Sequence, residues 1–266
     1  MSYTQIEASA HDGAPVELYR FAYGANRWTL TSGVRPVTHE GDTYVPTALQ
    51  RGSLEQSNEL NRAALEITLP RAHALVGLFV AAPPEGVVSV TLFRFHGPRP
   101  EEVITLWKGR VAGMQLAGAR AVLRCAPVST SLKRTGLRAR YSLSCRHALY
   151  SPGCGVIRDS FRTPGTVLSV TGTTLRVAAA ASQPDGYFVA GLVSTLEGQR
   201  MIVGQTGDAL TLIAPLPVLT AGMSVDLFAG CDHATATCQA RFNNLAHYGG
   251  FPFIPGKNPF AGDAIV

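Results

Sequence analysis

Hydrophobic and polar positions alternate with a period of two over much of the chain. In "AALEITLPR", Leu65, Ile67 and Leu69 fall to one side of an extended segment and Glu66 and Thr68 to the other. That is the pattern of a strand with one buried face. "GVVSVTLFRFHG" is a β-branched and aromatic run ended by Gly97-Pro98, and it predicts another strand. "EEVITLWKGRVAGMQLAGARAVLRCAPV" reads as three short strands separated by glycines, a meander. "TVLSVTGTTLRVA" predicts a hairpin turning at Thr171-Gly172, and "QRMIVGQTGDALTLI" one turning at Gly207-Asp208. "MSVDLFAG" is a last strand before Cys231. Helical signals are few. "RAHALVGLFVAAPP" predicts one short helix stopped by Pro83-Pro84, and "DHATATCQARFNN" one of two or three turns capped by Asp232.

The expected fold is therefore mainly β with little helix. Residues 1–135 form an N-terminal domain of β-barrel or sandwich-like type. Residues 136–163 are the first cysteine segment of a cysteine-ligated C-terminal metal domain. Residues 164–229 form a small β module inserted into it, and residues 230–266 are the second cysteine segment and a C-terminal arm. The "FNNLAHYGGFPFIPGKNPF" stretch of that arm holds prolines that no regular strand or helix accommodates. It reads as an ordered loop on its own domain or an arm docking on a neighbouring subunit.

Composition narrows the class. The 266 residues suffice for a sizeable core, and 46% hydrophobic against 15% charged argues against a disordered chain. So thin a charge cover points to surface that a partner covers. The start, "MSYTQIEASAHDGAP", lacks the basic and apolar regions of a secretion signal. No run approaches the roughly 18 apolar residues of a membrane span. The expectation is a protein folded in a reducing cytoplasm.

The formal net charge is +5. Between Val103 and Arg158 there is no Asp or Glu, while Lys108, Arg110, Arg120, Arg124, Lys133, Arg134, Arg138, Arg140, Arg146 and Arg158 all fall there. Such a stretch is either a face paired with acids elsewhere or one that neutralises nucleic acid or an anionic metal centre. A basic nucleic-acid-binding protein is thus the alternative class, although no recognised binding motif is present. Glu55, Glu59 and Glu66 read as surface charge. A Cys145–His147 nucleophile–base reading lacks oxyanion donors and a third group, so no catalytic residue is assigned and no enzyme is expected.

Five cysteines remain to be placed. Cys125 shares an alternating face with Ala121 and Leu123 and reads as a small buried hydrophobe. Cys145, Cys154, Cys231 and Cys238 come as two pairs, "CRHALYSPGC" and "CDHATATC", beside Gly, Pro or Asp. Disulfides are disfavoured without a secretion signal. Structural zinc usually takes pairs about two to four residues apart, and these loops are wider. They suit a larger group, such as an iron–sulfur cluster held by four thiolates. Spacing alone leaves zinc and cluster both open. Arg140, Arg146 and Arg158 would offset the charge of such a centre, and His147 and His233 read as outer hydrogen-bonding or surface residues. The Asn243-Asn244 pair suits side-chain bonding to loop backbone nearby.

These residues carry a resemblance. "PVELYRFAYGANRWTLTSG", "THEGDTYVPTALQRGSLEQSNELNRAALEITLPR", "CRHALYSPGCGV" and "GCDHATATCQARFNNLAHYGGFPFIPGKNPF" resemble the tail-tip or baseplate hub proteins of long-tailed phages and gene transfer agents. That family is similar in role to the lambda-type minor tail protein L. The resemblance implies a structural virion protein at the tail tip, present in the host cytoplasm during assembly, with residues 1–135 as its hub domain. It implies a homotrimeric ring between the distal tail protein ring and the central fibre or spike protein. The tape measure protein and transiting DNA are candidate contacts in the lumen. It also implies a 4Fe-4S iron–sulfur cluster, with Zn as the alternative, on Cys145, Cys154, Cys231 and Cys238.

Overall fold

The computed structural model describes residues 3–9, 11, 13–54, 64–80, 83–97, 99–133, 135–137, 139–196, 198–217 and 219–255. The chain divides into two units, Met1–Thr135 and Gly136–Val266. Glu55, Glu59 and the arm beyond residue 255 lie outside the described residues.

The first unit runs α1 (Tyr3–Glu7), β1 (Pro15–Tyr23), β2 (Asn26–Thr31), β3 (Val37–His39), β4 (Asp42–Pro46), β5 (Gln50–Arg51), β6 (Leu65–Pro70), α2 (Ala74–Val80), β7 (Ser89–His96), β8 (Arg99–Ala117) and β9 (Arg120–Pro127). Its strands make one nine-stranded sheet in the order β3-β4-β2-β1-β7-β8-β9-β6-β5. All pairings are antiparallel except β2 with β4. The alternation over 65–69 holds: Leu65, Ile67 and Leu69 are buried, Glu66 is exposed. They pack with Tyr19, Phe21, Leu92, Leu123, Cys125 and, from α2, Leu75 and Val76. Each fully buried aliphatic or aromatic side chain here contributes about 1.5–3 kcal/mol. A smaller cluster of Leu18, Tyr44, Phe93 and Phe95 packs separately, because β1 and β7 bury residues on both faces.

Two expectations for this unit are corrected. The barrel or sandwich is an open sheet, since no ladder joins β3 to β5 among the described residues. The three-strand meander is two strands: Gly109 and Gly113 lie inside the 19-residue β8. A register shift between Val111 and Gly113 absorbs the break as a bulge. At Gly109 a Cβ would strike the Trp107 ring and the Ala126 carbonyl, so glycine marks close packing rather than a chain end. The turn comes at Gly118, with φ 57°.

A charged knot ties this unit together. Glu17, 7% exposed, accepts from Arg51 Nη2 at 2.6 Å, Arg94 Nη2 at 2.8 Å and Tyr19 Oη at 2.5 Å. Burial alone would raise its pKa, but the hydrogen bonds from Arg51, Tyr19 and Arg94 outweigh that and hold it at about 2. Glu7 extends the knot to α1, meeting Arg94 at 2.6 Å and His96 at 2.7 Å.

The second unit holds β10 (Arg162–Thr171), β11 (Thr174–Val177), β12 (Leu192–Thr195), β13 (Gly198–Thr206), β14 (Ala209–Leu212), β15 (Ser224–Phe228) and α3 (Thr235–Phe242). The six strands close into a barrel, β10-β11-β14-β13-β12-β15. Its interior is filled by Val167, Leu175, Val177, Phe188, Val193, Ile202, Leu210 and Leu227. Closure is the pairing of β10 with β15, from Arg162↔Phe228 to Thr166↔Ser224. Thr206↔Ala209 leaves Gly207-Asp208 as the predicted two-residue turn. Thr171↔Thr174 places the other at Gly172-Thr173, one residue later than expected, with Gly172 at φ 60°. No helix among the described residues is long and apolar enough to cross a membrane.

Candidate metal centre

Cys231 follows the last barrel strand directly, through Ala229 and Gly230. The helix expected to start at Asp232 starts at Thr235, with Ala234 as its cap and no side-chain capping bond. The cause is His233, whose φ of 64° is left-handed and stops the helix forming through it. Asp232 instead accepts from the Ala234 amide at 2.9 Å and the Thr237 hydroxyl at 2.9 Å. Cys238 then lies one turn into α3, its amide bonded to the Ala234 carbonyl at 3.0 Å. The helix ends at Asn243, left-handed at φ 46°.

Cys145 and Cys154 sit in an irregular segment held from three sides. The Cys145 amide donates to the His233 carbonyl at 2.9 Å. The Asn244 side-chain amide donates to the Cys154 carbonyl at 2.6 Å. The Tyr248 hydroxyl meets the carbonyls of Leu143 at 2.7 Å and His233 at 3.0 Å. Tyr141 stacks on Phe251 with ring centres 4.5 Å apart, and the Phe251 amide donates to the Ser142 carbonyl at 2.8 Å. Through residue 255, therefore, the aromatic tail packs on its own unit, although Phe253 is almost fully exposed.

These contacts bring Cys145, Cys154, Cys231 and Cys238 to the wall of one largely enclosed cavity, shared with His147, His233, His247, Asn244 and Tyr248. Free space at its middle is about 20 Å³, room for about one water. Among the described residues, no three His, Cys, Asp or Glu side chains converge on a single ion. The sulfurs receive N–H donors instead: Gly249 N on Cys145 at 3.2 Å, His233 N on Cys231 at 3.4 Å, and Asn244 Nδ2 toward Cys154 at 4.0 Å. Burial pushes the Cys231 thiol up, against the His233 amide, and the charges of Asp232, Cys154 and Cys145 add to the rise. Burial also raises Cys238, followed by the charges of Cys231, Cys145 and Cys154. The thiols thus lie within electrostatic reach of one another. Cys125 stands apart in β9, and burial takes its pKa to about 12.

One sequence expectation is not met at this cavity. Among the described residues no arginine lines it: Arg140 and Arg146 are exposed, and Arg158 lies over the Phe228 ring at 4.6 Å. Elsewhere, in the first unit, part of the basic stretch is paired with acid, as one of its two readings expects: Arg124 meets Glu66 at 3.5 Å. His247, Tyr248 and Gly249 were not singled out by residue type. The signal for them is the Gly249-Gly250 doublet: a Cβ on Gly250 would meet the Leu143 carbonyl at 2.6 Å. Arg241 was missed as well. It donates to the carbonyls of Gly230 at 2.5 Å and Tyr187 at 2.9 Å, tying α3 to the barrel.

Comparison with known proteins bears on the whole chain. A family model described as "Baseplate hub protein, N-terminal attachment domain" matches residues 23–157. A second, "Phage conserved hypothetical protein BR0599", matches residues 186–258, which hold Cys231 and Cys238. An "Uncharacterized protein" of Xylella fastidiosa (strain 9a5c) is 25% identical over 195 residues, 69% of this chain and 40% of that relative. The chain thus spans about two fifths of that relative's length. A chain of the solved "Virion of native gene transfer agent (GTA) particle" shares the fold with a TM-score of 0.80 at 18% identity, over 99% of this chain and 96% of that one. With the first match taking in half of its residues, this chain belongs to the family of phage baseplate hub proteins.

Proposed function

We propose that this protein is a non-enzymatic structural component of the virion that forms a trimeric ring at the tail tip, linking the distal tail ring to the central fibre or spike. The family membership over residues 23–157 carries the hub role. The full-length likeness in fold to a chain of a gene transfer agent virion supports it. A closed ring needs a heterologous interface, one patch meeting a different patch on the next copy. Imaging of intact tails tests this: three copies between the tube end and the fibre-bearing protein are expected. Six copies along the tube, or none in the mature particle, overturn it.

Within that role, the second unit is clipped by a metal centre on Cys145, Cys154, Cys231 and Cys238. The observation behind this is that four cysteines from two distant segments line one cavity. When bound, the centre would supply cross-linking of those segments and a positive core among mutually repelling thiolates. The wide loops within each cysteine pair favour a 4Fe-4S cluster over a single zinc ion. Anaerobic preparation with iron, sulfide and zinc analysis decides between them. Four iron and four sulfide per chain are expected; one zinc per chain replaces the cluster and leaves the clip; neither metal removes it.

A further inference from the structure

We infer that residues 244–249 form a strap that delivers N–H donors to the sulfurs of Cys145 and Cys154, and that His247 and His147 hold the strap in place. The inference rests on the metal-centre reading above. At one end, Asn244 Oδ1 lies 2.9 Å from His247 Nδ1. Asn244 Nδ2 donates to the Cys154 carbonyl at 2.6 Å, so Oδ1 is the acceptor and His247 Nδ1 carries the proton. That bond fixes the amide with its nitrogen toward Cys154 Sγ at 4.0 Å. The His247 ring lies over Gly155, where a Cβ would sit 3.6 Å from it. At the other end, the Gly249 amide donates to Cys145 Sγ at 3.2 Å. The His147 ring fills the space between Gly249 and Gly153. A Cβ on either glycine would collide with it, at 2.6 Å from Nδ1 in the case of Gly153.

Each cysteine of the first segment is thus served by one donor from the tail and one imidazole packed on glycine. The device has a chemical consequence. Hydrogen bonds to ligating sulfur orient it, lower its charge density and tune the bound centre. His247, Asn244 and Gly249 are positioning residues: none has to touch metal.

The test uses the full-length protein, prepared without oxygen, with its metal released into a chelator. His247 is exposed, so His247→Ala removes only the ring over Gly155 and frees the Asn244 amide without opening a hydrophobic core. His247→Ala and Asn244→Ala should keep full metal stoichiometry, lose metal about 10- to 100-fold faster than wild type, and shift the sulfur-to-metal absorption band. Leu245→Ala, on the exposed side of the same segment, should match wild type in both respects. Gly249→Ala should act like Asn244→Ala, since its Cβ displaces the amide from Cys145. Metal-replete wild type with unchanged release rates and an unshifted band in the variants overturns the strap alone. Wild type carrying neither iron nor zinc overturns the metal-centre reading and the strap with it.

Discussion

The hydroxyl of Tyr150 donates to the carbonyl of Ala229 at 2.7 Å, across 79 positions of sequence. Tyr150 belongs to the first cysteine loop, where it takes the left-handed φ of 62°. Ala229 directly follows the last barrel strand, two residues before Cys231. Tyr150→Phe keeps the edge-to-face contacts with Phe228 and Phe242 and removes only the hydrogen bond. Thermal unfolding of the variant should show a loss of about 1–2 kcal/mol, because the Ala229 carbonyl is left buried without its donor. A melting curve equal to wild type would show the bond to be dispensable.

Alkylation should separate the five cysteines. Cys125 is 1% exposed and its thiol is raised to about 12 by burial, so iodoacetamide at mildly alkaline pH should leave it unlabelled in the folded protein. Cys125→Ala should keep any bound metal and cost about 1 kcal/mol. Cys145→Ala, Cys154→Ala, Cys231→Ala and Cys238→Ala should each lose the metal and destabilise the second unit. Bleaching by Cys125→Ala, with metal retained in one of the other four, would reassign the ligands.

Acid should loosen the first unit through Glu17. Its folded pKa of about 2 lies below the ordinary value of 4.5. Its stabilising contribution is therefore whole above about pH 4.5 and fades as pH falls toward 2. After allowance for solvent screening, that contribution is on the order of 2 kcal/mol. The carboxyls of Glu7 and Asp232 are lowered as well, by hydrogen bonds that outweigh burial. The telling quantity is thus the difference between wild type and Glu17→Gln. Denaturant midpoints should differ most at neutral pH and converge near pH 2. Parallel curves would place the stabilisation elsewhere.

Arg241→Lys should cost about 1–2 kcal/mol, because the guanidinium serves two carbonyls and the Tyr187 ring at once, which an ammonium cannot match. Calorimetry should register the loss in the transition of the second unit only.

The sequence was most legible where one local rule governs. Alternation placed Leu65, Ile67 and Leu69 in the core, and Gly207-Asp208 turned where a two-residue hairpin loop requires it. Failures came where distant packing set the local geometry. Gly109 and Gly113 read as strand ends, but the strand runs through because Trp107 and Ala126 crowd the first and a bulge absorbs the second. Asp232 has the chemistry of a cap, yet the backbone at His233 turns left-handed and delays the helix. At the cavity, residue type marked the four cysteines and Asn244. The backbone donors on sulfur were hidden, since an amide such as that of Gly249 has no side-chain signature.

The register pair Arg162↔Phe228 closes the barrel, and it also makes the module a cassette. The main thread leaves for the barrel and returns from it through neighbouring positions, so the strands between them form a detour. A lineage can lengthen, replace or prune that detour without changing the distance the thread must span from Cys154 to Cys231.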